Sequence, residues 1–181
     1  KIDVIEGHVK VMAGKKISVI GEKKTEEFKA KNIIIATGSR SREIPSLPQD
    51  GKKVIGYREA MTLTKQPKKL VIVGSGAIGI EFAFFYNSMG TEVTIVEYLD
   101  RIAPVEDEEV SKQLEKSFKK SGIKIMTGAE VFAVDTSGTN VKVSVKTSKG
   151  EEIVYTDVIL SAVGIKSNLE NLGLEDIGIA I

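Results

Sequence analysis

Residues 69–97 read KLVIVGSGAIGIEFAFFYNSMGTEVTIVE, and this stretch decides the fold. It opens with an apolar run at residues 70–73, typical of a strand buried on both faces of a parallel sheet. A helix is predicted over residues 77–89 and ends at Gly90. A second buried strand, Glu92–Val96, follows it. The pattern therefore predicts a β-α-β unit.

Three glycines occupy the turn between the first strand and the helix. Gly74, Gly76 and Gly79 have the G-x-G-x-x-G spacing, in which the glycines allow a tight turn, approach of a pyrophosphate to the backbone, and close packing of helix on strand. The helix N-terminus offers free N–H groups to an anion. Glu97 ends the second strand, where a carboxylate accepts hydrogen bonds from an adenosine ribose and repels a 2′-phosphate. The spacing predicts a dinucleotide site that prefers NAD to NADP.

Other interpretations of these residues stay open. The glycines would turn the chain in any tight loop, and Glu97 would then be a solvated charge at a strand end. Arg101 lies four residues further on and could bind a 2′-phosphate, although a loop arginine is more often a surface charge. Glu81 lies early in the helix, where the helix dipole favours a carboxylate whatever its function.

The chain continues the α/β pattern after Glu97. A helix is predicted over residues 107–121, with an apolar stripe formed by Val110, Leu114 and Phe118. Further strands are predicted at residues 123–126, 131–134, 141–146, 152–155 and 158–162, with a hairpin turn at 148–150. The fold class is therefore α/β: a Rossmann-like parallel sheet flanked by helices, with an antiparallel three-stranded excursion.

Residues 1–68 have a different pattern. Short strands are predicted at residues 8–12, 16–21 and 28–36, turn clusters make residues 38–52 a connector, and a short helix is predicted around 58–63. The predicted helix at residues 77–89 is apolar on nearly every side, so something besides the sheet must cover it. Either residues 1–68 or a further domain or subunit would do so.

Composition excludes several classes of protein. The 181 residues are 41% hydrophobic with a net charge of +1, which suits a packed core. The first 70 residues are basic, but their lysines are scattered among few aromatic rings, which argues against nucleic acid. No apolar run suits a membrane span and no signal peptide is visible, so a soluble cytoplasmic protein is expected. With no cysteine and His8 as the single histidine, we predict no metal site and no catalytic residue within the chain.

Four ordered motifs resemble the flavin-dependent pyridine nucleotide-disulfide oxidoreductases. They are IIIATGSRSREIP at residues 33–45, VIVGSGAIGIEFA at 71–83, VTIVEYLDRI at 93–102 and DVILSAVGIKSN at 157–168. The stretch from Glu97 to Ile125 is most similar to the branch that oxidises dihydrolipoyl groups with NAD⁺. A different disulfide reductase, an NADH oxidase of the same family and a non-catalytic dinucleotide-binding module remain alternatives.

The resemblance implies a central piece of a longer enzyme that uses NAD and FAD. Residues 1–37 would be the C-terminal part of the FAD-binding domain, 38–68 a connector, 69–164 the NAD-binding domain and 165–181 the start of the return to the FAD domain. The family's redox-active cysteine pair and catalytic His-Glu pair lie outside this sequence, so the fragment alone is expected to be inactive. The implied partners of the parent are a second copy of itself and the lipoylated acyltransferase component of a 2-oxoacid dehydrogenase complex.

The resemblance also implies cofactor-binding residues. The NAD segment would consist of Gly74, Ser75, Gly76, Ala77, Ile78, Gly79, Ile80 and Glu81, with Glu97 on the adenosine ribose, Val131 beside the adenine and Gly164 near the nicotinamide. Glu81 would lie close to nicotinamide and flavin. The FAD contacts would be Thr37, Gly38, Ser39 and the backbone around Val9. The family often has G-R-x-P-N after its last NAD-domain strand, whereas residues 164–168 read GIKSN, and Lys166 is therefore not assigned to the site.

Overall fold

A computed structural model describes all 181 residues, and the chain divides into two units: Ser41–Ile165, and Lys1–Arg40 with Lys166–Ile181. The strands are β1 His8–Met12, β2 Lys16–Ile20, β3 Thr25–Lys29, β4 Ser39–Ser41, β5 Val54–Ile55, β6 Lys69–Val73, β7 Glu92–Val96, β8 Lys124–Met126, β9 Glu130–Asp135, β10 Val141–Thr147, β11 Gly150–Thr156, β12 Val158–Ser161 and β13 Ile165–Ser167. The helices are α1 Tyr57–Met61, α2 Ala77–Ser88 and α3 Glu108–Lys120, with a 3-10 turn at Glu175–Ile177. None of these helices combines the length and apolarity needed to cross a membrane.

The larger unit is built on a five-stranded parallel sheet in the order β5-β12-β6-β7-β8. Alternate residues of β6 point to opposite faces: Leu70 and Ile72 pack with the helices, and Val71 and Val73 pack with the excursion. All four side chains are buried. The continuous apolar run in β6 is thus explained by a sheet that is covered on both sides, and the predicted α/β fold class is confirmed.

The excursion is an antiparallel sheet in the order β11-β10-β9. Its hairpin pairs Thr147 with Gly150, as the turn residues predicted. Val141, Val143 and Val145 are fully buried, and they pack towards the parallel sheet. The smaller unit contains the antiparallel sheet β1-β2-β3.

Helix α2 is covered on two sides only. Ala83 and Tyr86 are buried, and the Tyr86 hydroxyl donates a 2.6 Å hydrogen bond to the carbonyl of Ala60 in α1. Burial raises the pKa of this phenol. Phe84 and Phe85, in contrast, remain 62% and 53% exposed. Helix α1 has five residues and is too short to cover that face as well.

Three local predictions require correction. The third strand is Thr25–Lys29, which pairs with β2, and residues 33–36 form no strand; Ile34 is 91% exposed. A strand needs a neighbour to bond with, and this apolar run has none in the chain. In α3 the predicted Phe118 is buried and Leu114 packs partly buried against the core, but Val110 is 54% exposed and Ser111 takes the buried position in the first turn. The predicted connector contains β5, which pairs with β12 and is fully part of the parallel sheet.

Candidate dinucleotide site

A cavity of about 610 Å³ opens at the C-terminal ends of the parallel strands, where ligands bind in open α/β sheets. Its walls come from five stretches of the larger unit. They are Arg42, Ile44 and Ser46; residues 73–76; residues 96–99; residues 129–131; and residues 162–164. The cavity therefore brings the glycine loop together with Glu97, and with Val131 and Gly164, the two positions that the family resemblance implies.

The fold itself requires two of the loop glycines. Gly74 has φ +99°, and a Cβ there would lie 2.4 Å from the carbonyl oxygen of Ala162. A Cβ on Gly79 would lie 2.1 Å from the carbonyl oxygen of Gly74. No side chain fits at either position, since real Cβ atoms do not approach backbone so closely.

Gly76 is different, because packing does not exclude a side chain there. Its φ is −68°, and a Cβ would meet nothing within 4 Å. Gly76 is also the N-cap of α2 and supplies no capping side chain, so the first N–H groups of the helix have no partner within it. This glycine leaves open space beside a helix N-terminus. A phosphate group suits this position, because the partial positive charge and free N–H groups of the helix N-terminus favour an anion.

Glu97 is not a solvated strand-end charge, since it is only 6% exposed. Its Oε2 accepts hydrogen bonds from the backbone N–H and the hydroxyl of Ser75, at 2.7 and 2.6 Å, and its Oε1 accepts one from the N–H of Leu99 at 2.9 Å. A carboxylate has about four acceptor positions. Glu97 therefore fastens the glycine loop and keeps about one position, on Oε1, for a ligand hydroxyl.

The remaining predicted NAD residues fall into two groups. Val131 is buried in the cavity wall, and Gly164 lies there with φ +111° and open space around its Cα. The carbonyl of Gly164 accepts a 2.9 Å hydrogen bond from the N–H of Arg42. The second group lies outside the cavity lining, in the first turns of α2, and consists of Ala77, Ile78, Gly79, Ile80 and Glu81. Of these, Ala77 and Glu81 are exposed.

The predicted FAD contacts lie in the smaller unit. Thr37 and Gly38 are exposed, and Asn168 holds them: Thr37 Oγ1 donates to the Asn168 carbonyl at 2.5 Å, and the Asn168 N–H donates to the Gly38 carbonyl at 3.0 Å. Ser39 follows in β4, and Val9 lies in β1 with a 38% exposed side chain. Hydrogen bonds thus hold the turn at residues 37–39 against Asn168, which directly follows β13.

An ion pair extends this fastening. The Arg40 guanidinium donates to both carboxylate oxygens of Glu170, at 2.5 and 3.1 Å, and to Asn168 Oδ1 at 2.7 Å. Hydrogen bonding from Arg40 holds the pKa of the Glu170 carboxyl well below its usual range. Lys166 also pairs with Glu170 at 3.1 Å, which explains this lysine without a role in a cofactor site.

The sequence analysis missed several cavity residues. Tyr98, Leu99, Ala162 and Val163 directly follow parallel strands, and the rule that ligands bind at strand C-termini would have included them. Arg42, Ile44 and Ser46 carry no such signal, because they reach the cavity from a loop that is distant in sequence. Arg101 does not line the cavity; its NH2 donates to the Pro104 carbonyl at 3.2 Å.

Comparison with known proteins identifies the family. The sequence profile of the pyridine nucleotide-disulphide oxidoreductases matches residues 1–181. This chain belongs to the pyridine nucleotide-disulphide oxidoreductase family. The family uses FAD and NAD(H). Dihydrolipoyl dehydrogenase from Rhizobium etli is 42% identical over 195 residues, an alignment that covers 99% of this chain and 40% of that relative.

Solved structures of the family have the same fold. LpdA from Mycobacterium tuberculosis is 30% identical with a TM-score of 0.84, and the match covers 97% of this chain and 39% of that one. The flavoprotein disulfide reductase RclA from Escherichia coli is 25% identical with a TM-score of 0.79, over 99% of this chain and 40% of that one. The chain thus spans about two fifths of the length of these relatives, and its predicted resemblance is confirmed at the level of the family.

Proposed function

We propose that this chain is the NAD(H)-binding portion of a dihydrolipoyl dehydrogenase, which oxidises dihydrolipoyl groups with NAD⁺. The observation that carries the proposal is the open space at Gly76, which lies beside the N-terminus of α2 and in the same cavity as Glu97. The 42% identity to the Rhizobium etli enzyme supports the choice of family member.

Each part of the cavity has a task in this proposal. The pyrophosphate lies against Gly76 and the free N–H groups of α2, which favour its negative charge. The remaining acceptor position on Glu97 takes one hydroxyl of the adenosine ribose. Val131 gives the adenine an apolar wall, and Gly164, without a side chain, leaves room for the nicotinamide.

The flavin contacts and the redox disulfide complete the parent's reaction. Thr37, Gly38, Ser39 and the backbone at Val9 would hold FAD, with Asn168 keeping the turn in place. A dihydrolipoyl group would reduce a redox-active disulfide to a pair of thiols, and bound FAD would pass two electrons from that reduced pair to NAD⁺. This chain has no cysteine, so the disulfide would come from another part of the parent. A homodimer and a lipoylated acyltransferase partner belong to the same proposal.

The similarity to RclA supports one alternative, a disulfide reductase with another substrate. Activity of the full-length parent distinguishes the two, since only dihydrolipoyl dehydrogenase should reduce NAD⁺ efficiently with dihydrolipoamide. The coding sequence on both sides of this chain tests a different alternative, a non-catalytic dinucleotide-binding module. A Cys-x4-Cys motif upstream and a His-x4-Glu motif downstream are expected for dihydrolipoyl dehydrogenase. Their absence would contradict the assignment to this enzyme and leave the dinucleotide site to be tested separately.

Calorimetry with NADH and NADPH tests the site. We expect NADH to bind and NADPH to bind about tenfold more weakly or worse, because a 2′-phosphate near Glu97 meets a like charge. Adenosine, which lacks the pyrophosphate, is the control ligand and should bind far more weakly than NADH. Absence of NADH binding, or equal affinity for both dinucleotides, would contradict the proposed site.

A further inference from the structure

Ser75 is held in place by two different elements. It lies between Gly74 and Gly76 and has no exposed surface. Its N–H and hydroxyl both donate to Glu97, and its carbonyl accepts a 3.0 Å hydrogen bond from the N–H of Ala103. The glycine loop is therefore fastened from the end of β7 and, independently, from the loop that precedes α3.

Ala103 adopts a conformation that an alanine rarely takes. Its φ is +46°, in the left-handed region, and the residue is only 5% exposed. The neighbouring Ile102 is completely buried. A strained residue of this kind persists only where its surroundings over-determine it, and such residues cluster at functional sites.

Ser111 is one of the groups that hold Ala103. Its hydroxyl, in a residue 1% exposed, donates to the Ala103 carbonyl at 3.1 Å, and the N–H of Glu106 donates to the same oxygen at 2.9 Å. A serine inside a helix usually bonds the carbonyl four residues earlier. This one bonds a carbonyl eight residues earlier, outside α3.

We propose that Ser111 is a positioning residue for dinucleotide binding: through Ala103 it holds the Ser75 carbonyl and thereby sets the orientation of the glycine loop. The inference rests on the proposed function, in which that loop receives the pyrophosphate. Ser111 does not line the cavity and acts only through the backbone of Ala103 and Ser75. The orientation of the Gly76 and α2 N–H groups thus depends on a hydroxyl in a different helix.

The test compares Ser111→Ala with Ser117→Ala, the same change at an exposed position of the same helix. We expect Ser111→Ala to weaken NADH binding about three- to tenfold, the effect of losing one hydrogen bond, and to leave adenosine binding unchanged. Ser117→Ala should change neither. Ala103→Gly in the Ser111→Ala background should restore NADH affinity, since glycine adopts the left-handed conformation without strain.

Amide hydrogen exchange of the free protein gives a second measurement that needs no ligand. The Ser75 amide should exchange faster in Ser111→Ala than in the wild type and in Ser117→Ala. Unchanged exchange of the Ser75 amide would overturn the inference, whether or not the wild type binds NADH. Failure of the wild type to bind NADH would by itself contradict only the proposed function. Equal losses of NADH and adenosine binding would also overturn it, because they would show a general structural effect.

Discussion

Gly76 and Gly79 belong to one motif, but only Gly79 is required by packing. Gly76→Ala places its Cβ in open space at an ordinary backbone conformation, so the free energy of unfolding should stay within about 1 kcal/mol of the wild type. The same methyl group occupies the space expected for the pyrophosphate, and NADH binding should weaken at least about tenfold, by roughly 1.4 kcal/mol.

Gly79→Ala is the matched variant, and unlike Gly76→Ala it should lower the free energy of unfolding. Its Cβ would lie 2.1 Å from the Gly74 carbonyl oxygen, so the variant should lose about 1–3 kcal/mol of stability or more. Thermal unfolding and calorimetry on both variants separate the two effects. Wild-type NADH affinity in Gly76→Ala would show that the pyrophosphate does not approach this glycine.

Glu97 combines two functions that different substitutions separate. Glu97→Ala leaves the N–H and hydroxyl of Ser75 without their buried acceptor, which should cost about 1–3 kcal/mol of stability and weaken NADH and NADPH together. Glu97→Gln keeps the shape and one acceptor oxygen but removes the charge. We expect it to narrow the difference in affinity between NADH and NADPH, measured by calorimetry.

Glu130→Gln is the control for that charge effect, because Glu130 is an exposed carboxylate in the same cavity wall. It should change the preference less than Glu97→Gln does. A preference for NADH that is unaltered in Glu97→Gln would mean that the carboxylate stabilises the loop without discriminating between the two dinucleotides.

At the scale of elements, Asp50 forms the turn that starts β5. Its Oδ1 accepts hydrogen bonds from the N–H groups of Lys52, Lys53 and Val54 at 2.8, 2.8 and 2.9 Å. Burial alone raises the pKa of Asp50, but these backbone bonds outweigh it, and the pKa lies below its ordinary value. The turn thus directs the two-residue edge strand onto β12.

The direction of this pKa shift predicts how stability depends on pH. A carboxyl with a lowered pKa in the folded state stabilises the fold above its unfolded pKa of about 3.9 and loses that contribution as the pH falls through the folded value. Asp50→Ala should therefore cost about 1 kcal/mol near neutral pH and progressively less below about pH 4. Thermal unfolding from neutral to acidic pH measures this, with Asp3→Ala, at an exposed position, as the control. A constant difference across the range would contradict the assigned hydrogen bonding.

Strand predictions succeeded or failed according to the neighbours each strand finds. Strand β7 was predicted at its observed bounds, because an apolar run between turn residues is a local signal and the sheet supplies neighbours on both edges. The run at residues 33–36 carries the same signal but pairs with no strand in this chain. Strand β5, with two residues, is too short to have a pattern, and its pairing with β12 decides that it is a strand.

At the scale of the whole molecule, the chain should bind a dinucleotide without turning over substrate. It has no cysteine, so it cannot form the disulfide through which a dihydrolipoyl group would be oxidised. With dihydrolipoamide, FAD and NAD⁺ supplied, absorbance at the NADH band should not rise above the rate without protein. Reduction of NAD⁺ that depends on both the chain and dihydrolipoamide would contradict the prediction that this chain binds the dinucleotide but does not catalyse the reaction.

The sequence by itself determined the β-α-β unit with its glycine loop, the later helix α3, the antiparallel excursion and the family, because these depend on residue patterns within short stretches. Tertiary structure alone decided which groups meet at the cavity. Ser75 and Glu97 are 22 residues apart, and the sequence does not show that the carboxylate turns inward to hold the loop. The N–H of Arg42 reaches the carbonyl of Gly164 from a distant loop, and the left-handed Ala103 is held by Ser111 of α3. Such contacts follow from the packing of whole elements, which brings together residues whose local sequences carry no sign of one another.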